Sequence, residues 1–225
     1  MTFSLVGRCD RTGQLGAVIT SSSPAVAARC AFARARVGAA CSQNVTDPTL
    51  GPGLLDALER GRSAGDALAE VVVAAPHVEY RQLSVVGADG PGAVWSGDRA
   101  LGRAATATGP GCAAAGNLLA DAGVPAAMVE AFLAAEGADL GDRLLAALVA
   151  GHDAGGEESP VRSAGLLVVD ELPWPATDLR IDWCEADPIE ELGRLWELWK
   201  PQAADYVTRA LDPAAAPAFG VPGDA

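Results

Sequence analysis

Thr2 combines two chemical groups that few positions in a chain can bring together. Cutting after Met1 leaves it with a free α-amine beside its own hydroxyl. A free α-amine has an ordinary pKa of about 7.7–8.0. It can therefore accept the hydroxyl proton near neutral pH with no histidine present. Such a nucleophile suits this chain, which has two histidines, His77 and His152, and one lysine, Lys200. Initiator methionine is commonly removed before a residue as small as threonine. Threonine is also common after methionine and a good strand former, so on the residues alone a plain strand position is the first reading.

Other chemistries find less support. No GxSxG elbow accompanies a possible Ser-His-Asp set. Thr108-Gly109-Pro110-Gly111 is glycine-rich but lacks a following Lys and reads as a hairpin turn. Two histidines near element ends and no CxxC make a metal centre improbable, and no cofactor is expected. Glu157-Glu158 and Glu190-Glu191 read as solvated surface charge. Among polar side chains, Ser22, Gln43 and Asn117 stand at element ends, where they close turns or donate to a substrate or oxyanion. Arg81, Arg162 and Arg180 pair by default with nearby acids.

The elements that must position these residues begin with a hairpin. Thr2 to Arg8 and Gln14 to Ser21 are apolar runs joined by Asp10-Arg11-Thr12-Gly13. Arg36 to Gln43 is strand-like. Two helices follow, the first near Pro52 and the second capped by Ser63 and running to Ala75. Four β segments occupy Tyr80 to Ala88, Gly92 to Trp95, Arg103 to Thr108 and Cys112 to Gly116. Helices are predicted over Val124 to Ala135 and Asp139 to Ala150, strands over Ser163 to Val169 and Asp178 to Cys184. A last helix is capped by Asp187 with Pro188 in its first turn; its Trp196 and Trp199 face packs inward or against another subunit. Hairpin-like strands favour antiparallel sheets, and the helix pairs must cover their faces. Two stacked sheets with helices outside satisfy the order; one sheet covered on one side is the alternative. A single domain over residues 2–209 is expected, with a loose Ala/Pro/Gly-rich tail over 210–225.

Composition narrows the function classes. The chain of 225 residues is 50% hydrophobic, enough for a sizeable core. Its 16 basic and 29 acidic residues give a formal charge of −13, the wrong sign for a sequence-independent nucleic-acid binder. No apolar run approaches the ~20 residues of a membrane span. The five cysteines, an odd number, read as reduced thiols, and with no signal-like N-terminus a cytoplasmic location is expected.

Several motifs, in this order, resemble the domain-of-unknown-function family 1028 of bacteria and archaea. They are Thr2-Phe3-Ser4-Leu5-Val6-Gly7-Arg8, Ser21-Ser22-Ser23-Pro24, Val37-Gly38-Ala39-Ala40-Cys41-Ser42-Gln43-Asn44, Arg81-Gln82-Leu83, Gly116-Asn117-Leu118-Leu119 and Arg162-Ser163-Ala164-Gly165. The match extends through Asp187-Pro188-Ile189-Glu190. The resemblance implies an N-terminal-nucleophile (Ntn) hydrolase-like architecture, a four-layer αββα sandwich with Thr2 as the nucleophile of the mature chain. The proteasome branch of that superfamily adds a lysine on a neighbouring strand. Arg34 lies near that sequence distance here, and an arginine there would bind an anionic group without shuttling protons. The expectation is an amidohydrolase cutting a C–N bond of a small molecule, with Ser22, Arg34, Gln43 and Asn117 as its substrate or oxyanion contacts. The other reading is a binding or scaffold protein that retains the fold. A homo-oligomer is also expected.

Overall fold

The computed structural model describes residues 1–219. In chain order its elements are β1 (Thr2–Arg8), β2 (Leu15–Ser21), α1 (Val26–Cys30), β3 (Ala31–Arg34), β4 (Gly38–Asn44), α2 (Leu50–Glu59), α3 (Ala64–Ala74), β5 (Arg81–Gly87), β6 (Ala93–Ser96), β7 (Ala105–Gly109), β8 (Cys112–Asn117), α4 (Val124–Ala134), α5 (Leu140–Asp153), β9 (Ser163–Val169), β10 (Thr177–Ile181), α6 (Pro188–Trp199) and α7 (Ala203–Leu211). One sheet has six strands in the order β10-β9-β2-β1-β8-β7, the other four in the order β3-β4-β5-β6. Every pairing is antiparallel.

Alternation along the strands assigns the layers. On β1, Phe3 and Leu5 join Met128, Phe132, Leu144 and Leu148 of α4 and α5 in one core. Val6, on the opposite face, joins Ala39, Cys41 and Val86 of the second sheet. Leu83 and Val85 of β5 turn outward and pack with Leu54, Leu58 and Leu68 of α2 and α3. Both sheets are thus covered on both faces, as an αββα sandwich requires. The layer between the sheets is filled largely by small side chains, among them Ala17, Ala39, Cys41 and Ala113.

The helix starts follow their capping residues. Ser63 accepts the Asp66 N–H at 3.1 Å, and Asp187 accepts the Ile189 N–H at 2.8 Å. The Trp face of α6 packs inward: Trp196 lies on Gly141 and donates to Asp142 Oδ1 at 2.7 Å, and Trp199 donates to Thr177 Oγ1 at 3.1 Å. α1, β3 and α7 were not anticipated; Val26-Ala27-Ala28-Arg29-Cys30-Ala31-Phe32-Ala33-Arg34 carries no clear period. Helix α7 carries the chain past residue 209, and Arg209 stacks on Tyr206 and Phe219 at 5.1 and 3.9 Å. The last part of the expected loose tail, residues 220–225, lies outside the described residues. No helix among the described residues is long and apolar enough to cross a membrane.

Two glycines after α5 decide where the chain goes next. Gly155 and Gly156 have φ of +121° and +57°, and the first lies in a region that side chains other than glycine rarely enter. Their turn places Gly156 beside the Phe3 ring, which a Cβ at this position would meet at 3.5 Å, and the next residue, Glu157, bridges to Leu119 just beyond β8. Gly155→Ala is expected to cost about 1–3 kcal/mol in urea unfolding. A loss below about 0.5 kcal/mol would mean that the turn relaxes freely.

Candidate active site at the start of the first strand

Thr2 opens β1, the strand with a hydrogen-bonded neighbour on each side near the centre of the larger sheet. Its register partner on β8 is Asn117. On the β2 side the hairpin register pairs Phe3 with Thr20, which brings Ser21 opposite Thr2. Side chains of directly opposed strand residues share a face. Thr2, Ser21 and Asn117 therefore stand together, on the face turned toward the second sheet, and all are buried. Thr2 Oγ1 lies 3.2 Å from Ser21 Oγ, and both hydroxyls donate to the Met1 carbonyl. Ser21 Oγ also accepts the Ser23 N–H at 3.0 Å and lies 3.1 Å from Ser23 Oγ. The start of β9 holds this serine loop: Arg162 N–H donates to the Ser21 carbonyl at 2.8 Å, and Ser163 Oγ to the Ser23 carbonyl at 2.6 Å.

A buried amide network lies behind Thr2. Ser4 Oγ donates to Gln43 Oε1 at 2.6 Å. Gln43 Nε2 reaches Gln82 Oε1 and the Ala115 carbonyl, both at 3.2 Å. Gln82 Nε2 donates to Ser96 Oγ at 3.0 Å and to the Gly116 carbonyl at 2.9 Å. Asn117 Nδ2 donates to Gln82 Oε1 at 2.9 Å, while Asn117 Oδ1 is buried with no partner. Gln43 Nε2 thus directs both of its N–H groups inside the protein, and Asn117 Nδ2 directs one of its two to Gln82. Gln43 and Asn117 sit beside the site as its wall.

Glu157 closes the site from the helical side. It is 8% exposed, and its Oε2 accepts the Ser22 N–H at 3.3 Å. Its Oε1 is buried without a partner. Burial pushes the carboxyl up to about 7, against the opposing pull of the chain's α-amino group and of hydrogen bonds from Ser22. The reading of Glu157 as solvated charge is corrected: the Gly155-Gly156 turn carries it inward while Glu158 stays outside. Ser22 serves through its N–H, as the anchor of Glu157.

Arg34 is not at the site. It ends β3 opposite Gly38, which pairs with Gly87, and Gly87 meets Arg8 at the far end of β1. There it binds Asp56 at 2.8 Å and Glu59 at 2.7 Å on α2. Cavities of about 420 and 410 Å3 also open at that end, beside Arg36 and Arg62 in one case and Arg8, Arg11 and Arg143 in the other. The buried thiols are weak rivals for Thr2: burial pushes Cys41 up to about 12 and Cys112 up to about 11. Among the described residues no group of three or more His, Cys, Asp or Glu side chains could hold a metal ion.

The family model described as "Family of unknown function (DUF1028)" matches residues 2–192. The chain belongs to the DUF1028 family. A solved member, protein SPO2555 from Silicibacter pomeroyi, is 30% identical, with a TM-score of 0.82 over 91% of this chain and 92% of that one. Anbu (ancestral beta-subunit) from Yersinia bercovieri aligns over 92% of this chain and 97% of that one at 10% identity and a TM-score of 0.39, too distant to carry an argument. No curated protein matches. For this DUF1028 chain, the residues that sequence reasoning missed are Ser21, Gln82 and Glu157. The symmetry of the hairpin about Asp10-Arg11-Thr12-Gly13 carried the signal for Ser21.

Two predictions follow from the burial of this cluster. Between the ordinary carboxyl value of 4.5 and about 7, native Glu157 keeps a proton that the unfolded chain has released. Its contribution to stability therefore falls as pH rises through that window, by roughly 3 kcal/mol in all. Glu157→Gln in the Met1-bearing chain is expected to match wild type near pH 4.5 and exceed it by up to about 3 kcal/mol at pH 8, in urea titrations at both pH values. Parallel stability profiles would reject a buried carboxyl. Gln82→Leu strips the acceptor from both Gln43 and Asn117, and a loss of about 1–3 kcal/mol per orphaned amide is expected in the same assay.

Proposed function

We propose that the protein is an amidohydrolase in which Thr2, freed at its α-amine, attacks the carbonyl of a small-molecule amide. The carrying observation is that Thr2 Oγ1 and Ser21 Oγ both donate to the Met1 carbonyl. A carbonyl oxygen thus already sits between two hydroxyls at the head of the central strand. The buried Glu157 carboxyl lies close enough to the head of β1 to feel the charge of the Met1 α-amino group, one residue before Thr2, and supports the same reading. So does membership of a family whose motifs led to the expectation of an N-terminal nucleophile.

In this reaction Thr2 Oγ forms a bond to the substrate carbonyl carbon, and its proton passes to the α-amine of Thr2. Ser21 Oγ, released from the Met1 carbonyl, donates to the oxyanion. One such donor contributes about 2.7–4 kcal/mol in known enzymes. The tetrahedral species collapses as the C–N bond breaks, and the amine's proton goes to the leaving nitrogen. Water then attacks the threonyl ester, giving the carboxylic acid and restoring Thr2. With Arg34 bound to acids at the other end, the substrate needs no anionic group for recognition by that arginine.

Screening small amides against protein whose first residue is Thr2 tests the proposal. Thr2→Ala is expected to abolish turnover and Thr2→Ser to keep part of it. Ser21→Ala is expected to lower kcat by about 10²–10³. Full turnover in Thr2→Ala, or in protein shown by intact mass to keep Met1, would sink the mechanism and leave a binding or scaffold role.

A further inference from the structure

Two buried oxygens at the site have no partner, and they belong to different elements. Glu157 Oε1 comes from the turn after α5 and Asn117 Oδ1 from the end of β8. Each belongs to a residue more than nine-tenths buried. An unpartnered buried acceptor costs about 1–3 kcal/mol, more when it is charged, so each calls for a donor; Asn117 is the register partner of Thr2, and Glu157 is held by Ser22, next to the Ser21 that faces Thr2. The rest of each side chain is fixed: Glu157 Oε2 takes the Ser22 N–H, and Asn117 Nδ2 is given to Gln82. The donors at hand, the Thr2 and Ser21 hydroxyls, are turned to the Met1 carbonyl.

Resting on the proposed role of Thr2, we infer that Glu157 and Asn117 form an acceptor cradle for the Thr2 α-amine once the bond to Met1 is cut. Glu157 Oε1 and Asn117 Oδ1 each take one of its N–H groups. The remaining position on nitrogen then faces Thr2 Oγ1, its own side chain. As the ammonium it donates there; as the neutral amine it presents its lone pair to the hydroxyl proton. An amide nitrogen offers one N–H and no basic lone pair, so the Met1-bearing chain cannot fill both acceptors from this atom. Glu157 and Asn117 are positioning residues, acting on substrate only through the amine. The carboxylate also matches the charge of an ammonium, whereas Cys30, the other buried group that feels the Met1 α-amino charge, is kept as a neutral thiol by burial.

The composition makes the test clean, because a chain beginning at Thr2 has only two amines, its α-amine and Lys200. Lys200 binds Asp142 and Asp139 beside α5 and serves as an internal reference. Full-length protein is released from a fusion partner so that Thr2 is first, then given brief pulses of acetic anhydride from pH 6 to 10. Intact mass and peptide mapping give the rate at each amine. A carboxylate in contact with the ammonium holds its proton, so at pH 7 the Thr2 amine is expected to acylate about tenfold faster in Glu157→Gln than in wild type, one pKa unit being tenfold. Asn117→Ala is expected to speed it by a smaller factor, about two to five. Lys200 should react alike in all three.

Equal Thr2 rates in wild type and Glu157→Gln would overturn the cradle, and no change in Asn117→Ala would remove Asn117 from it. If a variant does not fold, wild type alone decides. A Thr2 amine titrating above the ordinary 7.7–8.0 supports the cradle, and one at or below that range overturns it. The nucleophile is judged separately. Equal acylation rates with turnover abolished in Thr2→Ala would reject only the cradle. A cradle with turnover intact in Thr2→Ala would reject only the nucleophile.

Discussion

Three side-chain amides buried between the two sheets, Gln43, Gln82 and Asn117, set the geometry on which the site depends. An unpaired amide in an apolar layer costs several kcal/mol, so these groups must find partners, and each bond has a direction. Gln43 and Gln82 come from neighbouring strands of the smaller sheet and reach the Ala115 and Gly116 carbonyls of β8 in the larger one. The alanines and valines elsewhere between the sheets give area without direction. The amides convert a slippery contact into one relative placement at the end where Thr2 lies. Such networks are stringent, because a partly satisfied one is worse than an apolar filling. Here it ends in an open oxygen on Asn117, the register partner of Thr2.

The outer layers bring in the remaining groups. Helices α4 and α5 pack on Phe3 and Leu5, the β1 residues whose neighbours Thr2 and Ser4 face inward. Gly151 of α5 brings its backbone close to Phe3, and the left-handed pair Gly155-Gly156 then turns the chain back over that ring. Glu157 thus reaches the head of β1 through apolar packing of the turn that carries it. The two ends of the sandwich differ in consequence. The Thr2 end gathers hydroxyls, amides and one carboxyl. Arg8, Arg11, Arg34, Arg36 and Arg62 lie toward the other end and engage acids or carbonyls there, in exposed pairs that each contribute little to stability.

What the sequence makes legible follows from how local the cause is. Ser63 and Asp187 mark their helices because a cap acts within three residues. The first hairpin is legible from two apolar runs and one glycine turn. Gln82 was open to discovery: within Arg81-Gln82-Leu83-Ser84-Val85 it alternates with residues of an outward apolar face, so a long polar side chain must enter the sheet interface. Glu157 was not. Beside Glu158 and between glycines and Ser159-Pro160 it has the composition of a surface loop, and its burial comes from a bridge to Leu119 and a bond from Ser22, far away in sequence. Arg34 fails for the related reason that sequence distance from Thr2 says nothing about which end of a strand a residue occupies.

The Met1–Thr2 peptide bond has a further consequence for the chemistry. While it is intact, the nitrogen beside the Thr2 hydroxyl is an amide and no base, and the hydroxyl spends its proton on the Met1 carbonyl. Cutting that one bond removes the acceptor and creates the base together. It also frees Ser21 Oγ at the spot the Met1 oxygen had filled. None of the supporting groups needs to move: Gln43, Gln82 and Asn117 are fixed to β8 and to each other, and Glu157 is fixed to Ser22. A site arranged before its nucleophile exists carries a cost in the precursor, in the form of two unpaired acceptors. That cost is relieved by the ammonium, so on this account the same interaction that prepares the base also stabilises the processed chain over its precursor.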